Sequence, residues 1–152
     1  MSEIQTVQLP VHHLVGIRRS VDVRAMGAYF HEVLPRVARW VEEQGLTAVS
    51  APCAVWHGMD PETGVCDAQA GMFIREEADG EGEISTATTP AGAALKLVHV
   101  GSYDQMPASW RRLYAHASSE GLTPGLGWEV YVDDPGVVDA ASLKTEIYLS
   151  IA

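Results

Sequence analysis

The chain has 152 residues, 47% of them hydrophobic and 20% charged, which is typical of one globular domain that buries about two thirds of its unfolded surface. Its 10 basic and 20 acidic residues give a net charge of −10, which disfavours nucleic acid and anionic membranes and favours cationic small molecules. The sequence shows no secretory leader, no apolar span of membrane length and no CxxC pattern, so we expect a cytoplasmic protein with free thiols at Cys53 and Cys66.

The first half of the chain predicts a strand, an amphipathic helix and a hairpin. Their ranges are 11–19 for the strand, 24–44 for the helix, and 52–58 and 65–74 for the two hairpin strands. Gly45 supplies a stop for the helix, and Pro35 is expected to kink or break it. In a hairpin centred near Pro61, Cys53 and Cys66 are several residues out of register, so no disulfide is expected.

The second half repeats this order after an acidic surface loop at 76–82. The predicted elements are strands over 83–88 and 93–103, a helix over 104–120, and strands over 128–133 and 143–151. Along the predicted helix, Trp110 and Tyr114 share an apolar face, which favours core positions over cofactor contacts.

Two short sequence matches suggest that the chain contains an internal duplication. Residues 43–47 resemble 119–123, and Asp60-Pro61 resembles Asp134-Pro135, at nearly the same separation. Two strand–helix–strand–strand units would each have one sheet face open, and these faces can join around a shared ligand cleft. We therefore predict one α+β domain over 1–152, with repeats at about 8–75 and 83–152.

The strand that begins at Trp128 places a carboxylate beside a tyrosine. Alternation puts Trp128, Val130 and Val132 on one face, which we expect to be the core, and Glu129 and Tyr131 on the other. The same reasoning for the last strand sets Glu146 and Tyr148 opposite its core residues. If the two strands pair, two carboxylates and two tyrosines approach one open face. An ordinary solvated sheet face is the alternative interpretation.

Three segments in this order resemble the GyrI-like small-molecule-binding family. They are His99-Val100-Gly101-Ser102-Tyr103 before a helix, Trp128-Glu129-Val130-Tyr131 followed by Asp134-Pro135, and Thr145-Glu146-Ile147-Tyr148-Leu149. The chain is similar also to effector-binding domains of AraC-type and MerR-type multidrug-sensing regulators. This resemblance implies a duplicated, SHS2-like βαββ fold with pseudo-two-fold symmetry around a central hydrophobic cleft. Ligand-contacting residues are then expected at Glu129, Tyr131, Tyr148, Glu146, Trp110, Trp56 and His57.

The resemblance implies binding of lipophilic, often cationic, small molecules around Glu129, without a cofactor. A buried Glu129 either keeps its proton or needs a donor such as Tyr131, and a ligand cation would also offset its burial. Some family members are cyclopropanoid hydrolases, so a second hypothesis makes Glu129 a general base and Tyr131 a donor that opens strained electrophiles. A third hypothesis is a protein-interaction module of the gyrase-inhibitor type, with a protein partner.

Other chemistries lack the required patterns. The six histidines do not have the spacing of a metal site, and Gly101-Ser102-Tyr103 is not the GxSxG turn of a serine hydrolase. No helix-turn-helix precedes Val11, so we expect a stand-alone domain that does not bind DNA.

Overall fold

The structure is a computed structural model that describes residues 3–60 and 62–152. In chain order its strands and helices are β1 (Gln5–Leu9), β2 (His12–Asp22), α1 (Met26–Glu43), β3 (Cys53–Met59), β4 (Val65–Ile74), β5 (Ile84–Thr89), β6 (Gly92–Val100), α2 (Met106–Ser119), β7 (Pro124–Val130) and β8 (Lys144–Ile151). The predicted α+β class is confirmed. Pro61, which carried part of the hairpin turn and of the Asp60-Pro61 match, lies outside the described residues.

The chain forms two compact units. The first unit comprises residues 11–89, and the second comprises the residues up to Pro10 together with those from Pro90 onward. In the first unit the antiparallel strand order is β3-β4-β2-β5, with α1 packed on β2 and β4. In the second unit it is β1-β6-β8-β7, with α2 packed on β6 and β8. Each unit therefore carries one helix on a four-stranded sheet.

The edge strands depart from the predicted repeat boundaries. Strand β5, which was predicted to open the second repeat, pairs with β2 in the first unit. Strand β1 was not predicted, and it pairs with β6 in the second unit. Both strands lie at a sheet edge, where one partner strand is sufficient and a short or polar sequence is tolerated. The duplication itself stays a prediction.

Helix α1 runs through Pro35 without a break, so the predicted alternative of two separate helices is wrong, whereas a kink at Pro35 stays a prediction. Pro35 is exposed, and its ring therefore costs a backbone hydrogen bond without disturbing the face that packs on the sheet. That face buries Tyr29, Val33, Val37, Trp40 and Val41. Packing of these side chains keeps the helix continuous where the local sequence favours interruption.

The hairpin of β3 and β4 agrees with its predicted bounds to within about one residue at each end. Cys53 pairs with Gly71, whereas Cys66 pairs with Met59, and both cysteines are buried and outside any disulfide. The prediction that they form no disulfide is confirmed. The register shifts between Trp56 and Gly58, so the alternation of β3 is interrupted at that point.

In the second unit, helix α2 covers an apolar cluster on the sheet. Its buried members are Leu95, Leu97, Met106, Leu113, Ala117, Ile147 and Leu149. Two core predictions are wrong here. Tyr114 is 48% exposed because it lies on the outer side of α2, and Val132 is 43% exposed because β7 ends at Val130. Neither α1 nor α2 is suited by length and hydropathy to span a lipid bilayer.

Candidate functional site

Glu129 is a buried carboxylate beneath helix α2. It lies on β7 and is only 5% exposed. Its partner across the ladder is Ile147 of β8, which is fully buried in the cluster under α2. Residues paired across antiparallel strands project from the same face of a sheet. Glu129 is therefore held among apolar side chains on the helix-covered face of the second unit.

Two aromatic side chains donate hydrogen bonds to this carboxylate. Trp110 Nε1 donates to Glu129 Oε2 at 2.6 Å, and the Tyr131 hydroxyl donates to Glu129 Oε1 at 2.7 Å. Each carboxylate oxygen thus has a donor from a different side. Burying a carboxylate is costly unless it is hydrogen-bonded, and bonds to charged acceptors are the stronger class. The sequence predicted the Tyr131 contact, whereas nothing in the helical pattern indicated the bond from Trp110.

Gly127 makes room for the indole of Trp110. A Cβ atom at position 127 would lie 2.8 Å from Trp110 Cη2, which is closer than real Cβ contacts, and 3.1 Å from Cζ3, which is tighter than most of them. The missing side chain therefore lets the indole lie directly on β7 and extend its nitrogen to Glu129, two residues further along the strand. No sequence pattern indicated Gly127 as a site residue, because its role depends on a residue from α2.

Tyr103 extends the aromatic cluster towards solvent. Its ring is 5.8 Å from the ring of Tyr131 in an edge-on arrangement, and its side chain is 37% exposed. Burial, followed by the negative charges of Glu129, Asp134 and Asp133, raises the pKa of Tyr103. The phenol therefore keeps its hydrogen at neutral pH. Tyr131 thus contacts the carboxylate, and Tyr103 packs against Tyr131 and is partly exposed to solvent.

Glu146 and Tyr148 lie on the opposite face of the same sheet, so the expected gathering of two carboxylates and two tyrosines on one face is wrong. The register pairs Trp128 with Tyr148 and Val130 with Glu146. It therefore places these residues one position out of phase with Glu129 and Ile147. The relative alternation along each strand was predicted correctly, but the pairing between the strands was not.

The residues on that opposite face form a separate, internally satisfied cluster. The ring of Tyr148 stacks on Trp128 at 5.5 Å, and its hydroxyl donates to Glu146 Oε1 at 3.0 Å. Lys96 Nζ lies 3.4 Å from Glu146 Oε2 and 5.6 Å from the Tyr148 ring centre. Burial and then the Glu146 charge raise the pKa of Tyr148. Glu146 thus has a lysine partner that offsets its charge.

Trp56 and His57 belong to the first unit. The Trp56 ring lies 6.5 Å from Phe30 of α1, and its buried Nε1 has no hydrogen-bond acceptor among the described residues. His57 Nε2 lies 2.8 Å from Gln69 Oε1, and Gln69 Nε2 donates to Ser85 Oγ at 3.0 Å. Gln69 is 1% exposed. The structure thus embeds His57 in a polar network that the sequence did not predict, and ligand contact by Trp56 and His57 stays a prediction.

The open grooves and the carboxylate do not coincide. A groove of about 800 Å³ follows the end of β6 and the first half of α2, and another of about 560 Å³ lies between β2, β5 and the acidic loop at 76–82. Neither is lined by Glu129, Trp110 or Tyr131. In this conformation the Glu129 carboxylate is covered by protein. The candidate site is therefore defined by the buried carboxylate and its donors, and not by either groove. No group of three or more metal-ligating side chains comes together in residues 3–60 and 62–152.

Several solved structures share this fold. The C-terminal domain of EcmrR is 19% identical, with a TM-score of 0.78, and the match covers 100% of this chain and 98% of that domain. An EcmrR–DNA complex gives 20% identity and a TM-score of 0.84 over 99% of this chain, which spans 57% of that EcmrR chain. SAV2435 bound to tetraphenylphosphonium is 12% identical, with a TM-score of 0.68 over 99% of this chain and 94% of that one.

A Listeria innocua protein encoded by lin2189 and described as a hydrolase is more distant. It is 10% identical, with a TM-score of 0.62 over 99% of this chain and 92% of that one. Comparison with curated protein sequences gives no significant match. The profile of the GyrI-like small molecule binding domain matches residues 2–152. The chain therefore belongs to the GyrI-like family of small-molecule-binding domains.

Proposed function

We propose that this domain binds lipophilic cations, with Glu129 as the counter-charge and the surrounding aromatic rings as the apolar wall. The observation that carries the proposal is a carboxylate at 5% exposure whose two oxygens receive hydrogen bonds from Trp110 and Tyr131. Aromatic rings around a carboxylate match both the charge and the apolar surface of such a ligand. SAV2435, a structural relative, is solved with tetraphenylphosphonium.

A cation reaches Glu129 only if part of its cover moves. Trp110 on α2 and Tyr131 after β7 each donate a hydrogen bond to one of the carboxylate oxygens. A ligand that displaces either one replaces a neutral donor with a full positive charge, which interacts more strongly with a carboxylate at low dielectric. The displaced aromatic ring can then stack on the ligand, so the cover becomes part of the binding surface.

The overall charge supports the same ligand class. With a net charge of −10, the protein raises the local concentration of cations and repels anions. Cys53 and Cys66 are buried and form no disulfide, which suits a reducing compartment, and we propose the cytoplasm as the location.

Calorimetric titration with tetraphenylphosphonium tests this function. Glu129→Gln should weaken binding by roughly 1 to 3 kcal/mol, the scale of a hydrogen bond to a charged group. The affinity for neutral triphenylphosphine oxide should fall much less in the same variant. The matched control is Glu146→Gln, which removes a carboxylate of the same sheet on the opposite face and should leave both affinities nearly unchanged. Equal losses in the two variants would show that Glu129 is not the counter-charge.

Hydrolysis of strained electrophiles is the second candidate, favoured by the 2.7 Å contact between Tyr131 and Glu129 and by the fold shared with the Listeria hydrolase. If a ligand occupies the position of Tyr131, the carboxylate can take a proton from water while the phenol donates to oxygen on the substrate. The same residues serve binding and catalysis, so only a turnover measurement separates the two functions.

A further inference from the structure

Thr145 has a buried hydroxyl that its surroundings do not satisfy. The residue is completely buried on β8, and no hydrogen-bond partner for its Oγ1 exists among the described residues. Leaving a buried hydroxyl unpaired is unfavourable, because the group gives up its bonds to water and gains none in return. Such a group is a candidate for contact with a ligand.

The polar side chain that is paired with Thr145 is already engaged in other hydrogen bonds. Thr145 pairs across the ladder with His99. His99 Nε2 donates to the Ser102 carbonyl at 2.9 Å, since a carbonyl oxygen can only accept. In the neutral ring Nδ1 then accepts the hydroxyl hydrogen of Ser109 on α2 at 2.7 Å. This chain joins β6 to the first half of α2 and uses the donor capacity of both side chains.

The register places Thr145 on the same face as Glu129. Thr145 is two residues before Ile147, and Ile147 is directly opposite Glu129. Thr145 and Glu129 are therefore diagonal neighbours beneath α2, a relationship that separates side chains by about 7 to 8 Å in an antiparallel pair. Trp110, next to Ser109 on the helix, covers the space near Glu129. A separation of this size lies within the length of one small molecule.

We propose that Thr145 Oγ1 is a second polar anchor of the Glu129 site, and that the preferred ligands are lipophilic cations bearing a hydroxyl, carbonyl or ether oxygen near the positive centre. This inference rests on the proposed function, because Glu129 supplies the counter-charge. The threonine hydroxyl forms with the ligand oxygen the hydrogen bond that the protein does not provide. It selects among cations of equal charge and similar size.

The test compares tetraphenylphosphonium with (4-hydroxyphenyl)triphenylphosphonium by calorimetric titration. The two cations differ by one hydroxyl, and their affinity ratio isolates its contribution. In the unmodified protein the hydroxylated cation should bind about fivefold more tightly, the scale of one net hydrogen bond. Thr145→Val keeps the shape but removes the hydroxyl, and it should bring the ratio close to one. Thr145→Ser keeps the hydroxyl and should retain most of the ratio.

The outcomes separate this inference from the function on which it rests. If tetraphenylphosphonium binds in a Glu129-dependent way but Thr145→Val leaves the affinity ratio unchanged, the proposed anchor is wrong and the function stands. If neither cation binds, both proposals fall.

Thermal unfolding without ligand gives an independent check. Thr145→Val should not lower the melting temperature, since it removes an unpaired polar group; a clear decrease would show that the hydroxyl is already satisfied and would overturn the anchor.

Discussion

Trp110 on α2 and Glu129 on β7 are joined by a 2.6 Å hydrogen bond from the indole nitrogen to a carboxylate oxygen. The bond connects the helix to the sheet at the candidate site, and it involves the single polar atom of an otherwise apolar side chain. Removing it should therefore affect stability and ligand entry in opposite directions.

Trp110→Phe should destabilise the free protein by roughly 1 to 3 kcal/mol, because a buried carboxylate loses one of its hydrogen-bond donors. Urea unfolding measures the change. Tyr114→Phe on the same helix is the control: Tyr114 is 48% exposed, so its variant should differ little from the parent. The association rate of tetraphenylphosphonium should rise in Trp110→Phe, since part of the cover is released. An unchanged unfolding free energy would contradict the structural role of this bond.

Gly127→Ala should also destabilise the protein, by about 1 to 3 kcal/mol, because the new methyl group meets the rigid indole of Trp110 at 2.8 Å. Gly27→Ala is the matched control. A Cβ at position 27 has no neighbour within 4 Å, and the residue lies inside α1, where alanine is favoured over glycine.

A double-mutant cycle with Trp110→Phe identifies the cause of the Gly127 effect. The atoms nearest to the added methyl group, Cη2 and Cζ3, belong to the six-membered ring of the indole, which phenylalanine does not place in the same position. The penalty of Gly127→Ala should therefore shrink in the Trp110→Phe background. If the two changes in unfolding free energy simply added in the double mutant, the alanine would act through a contact other than Trp110.

The hydrolase hypothesis predicts many turnovers of a strained cyclopropane-containing electrophile. Water adds to a ring carbon while Glu129 takes its proton; the ring carbon–carbon bond breaks, its electron pair passes to the substrate oxygen conjugated with the ring, and Tyr131 donates a proton to that oxygen, which Glu129 then returns to the phenol. In water labelled with ¹⁸O, mass spectrometry should find the label in the product. Glu129→Gln should lower the turnover rate much more than it weakens substrate binding, and Tyr131→Phe should lower the rate selectively. Glu146→Gln is the control. Unaltered electrophiles would leave binding as the function.

Cys53 should be inert to alkylation until the protein unfolds. It is completely buried, and burial raises the pKa of its thiol to about 12. The reactive thiolate is thus scarce throughout the range where an ordinary thiol ionises. Iodoacetamide labelling followed by mass spectrometry should show no increase for Cys53 between pH 8 and pH 10 in the folded protein, but rapid labelling in denaturant. Rapid labelling of the folded protein would contradict this burial.

Because the pKa of Cys53 is raised in the folded protein, its contribution to stability decreases at high pH. The folded state holds the Cys53 proton more tightly than the unfolded state does, so the contribution to stability is complete below the unfolded thiol pKa of about 9. It is lost as the pH rises towards 12. Cys53→Ser provides the reference for this dependence, since a hydroxyl does not titrate in that range.

The sequence by itself determined the elements whose causes are local. Helical spacing of apolar residues placed α1 and α2, and the turn-rich segment between β3 and β4 placed that hairpin. Three short motifs in order were also sufficient to suggest the family, which the profile match confirms. Each of these features depends on residues close together in the chain.

Only the tertiary structure decided which residues meet at the site. Alternation along a strand shows which side chains share a face, but the register between strands decides which faces coincide, and a shift of one residue exchanges them. That register separates Glu129 from Glu146 and Tyr148, and it aligns Glu129 with Ile147 under α2. The bond from Trp110 and the isolated hydroxyl of Thr145 depend on the same register and on helix packing. They are contacts between distant segments, so no local pattern in the sequence could specify them.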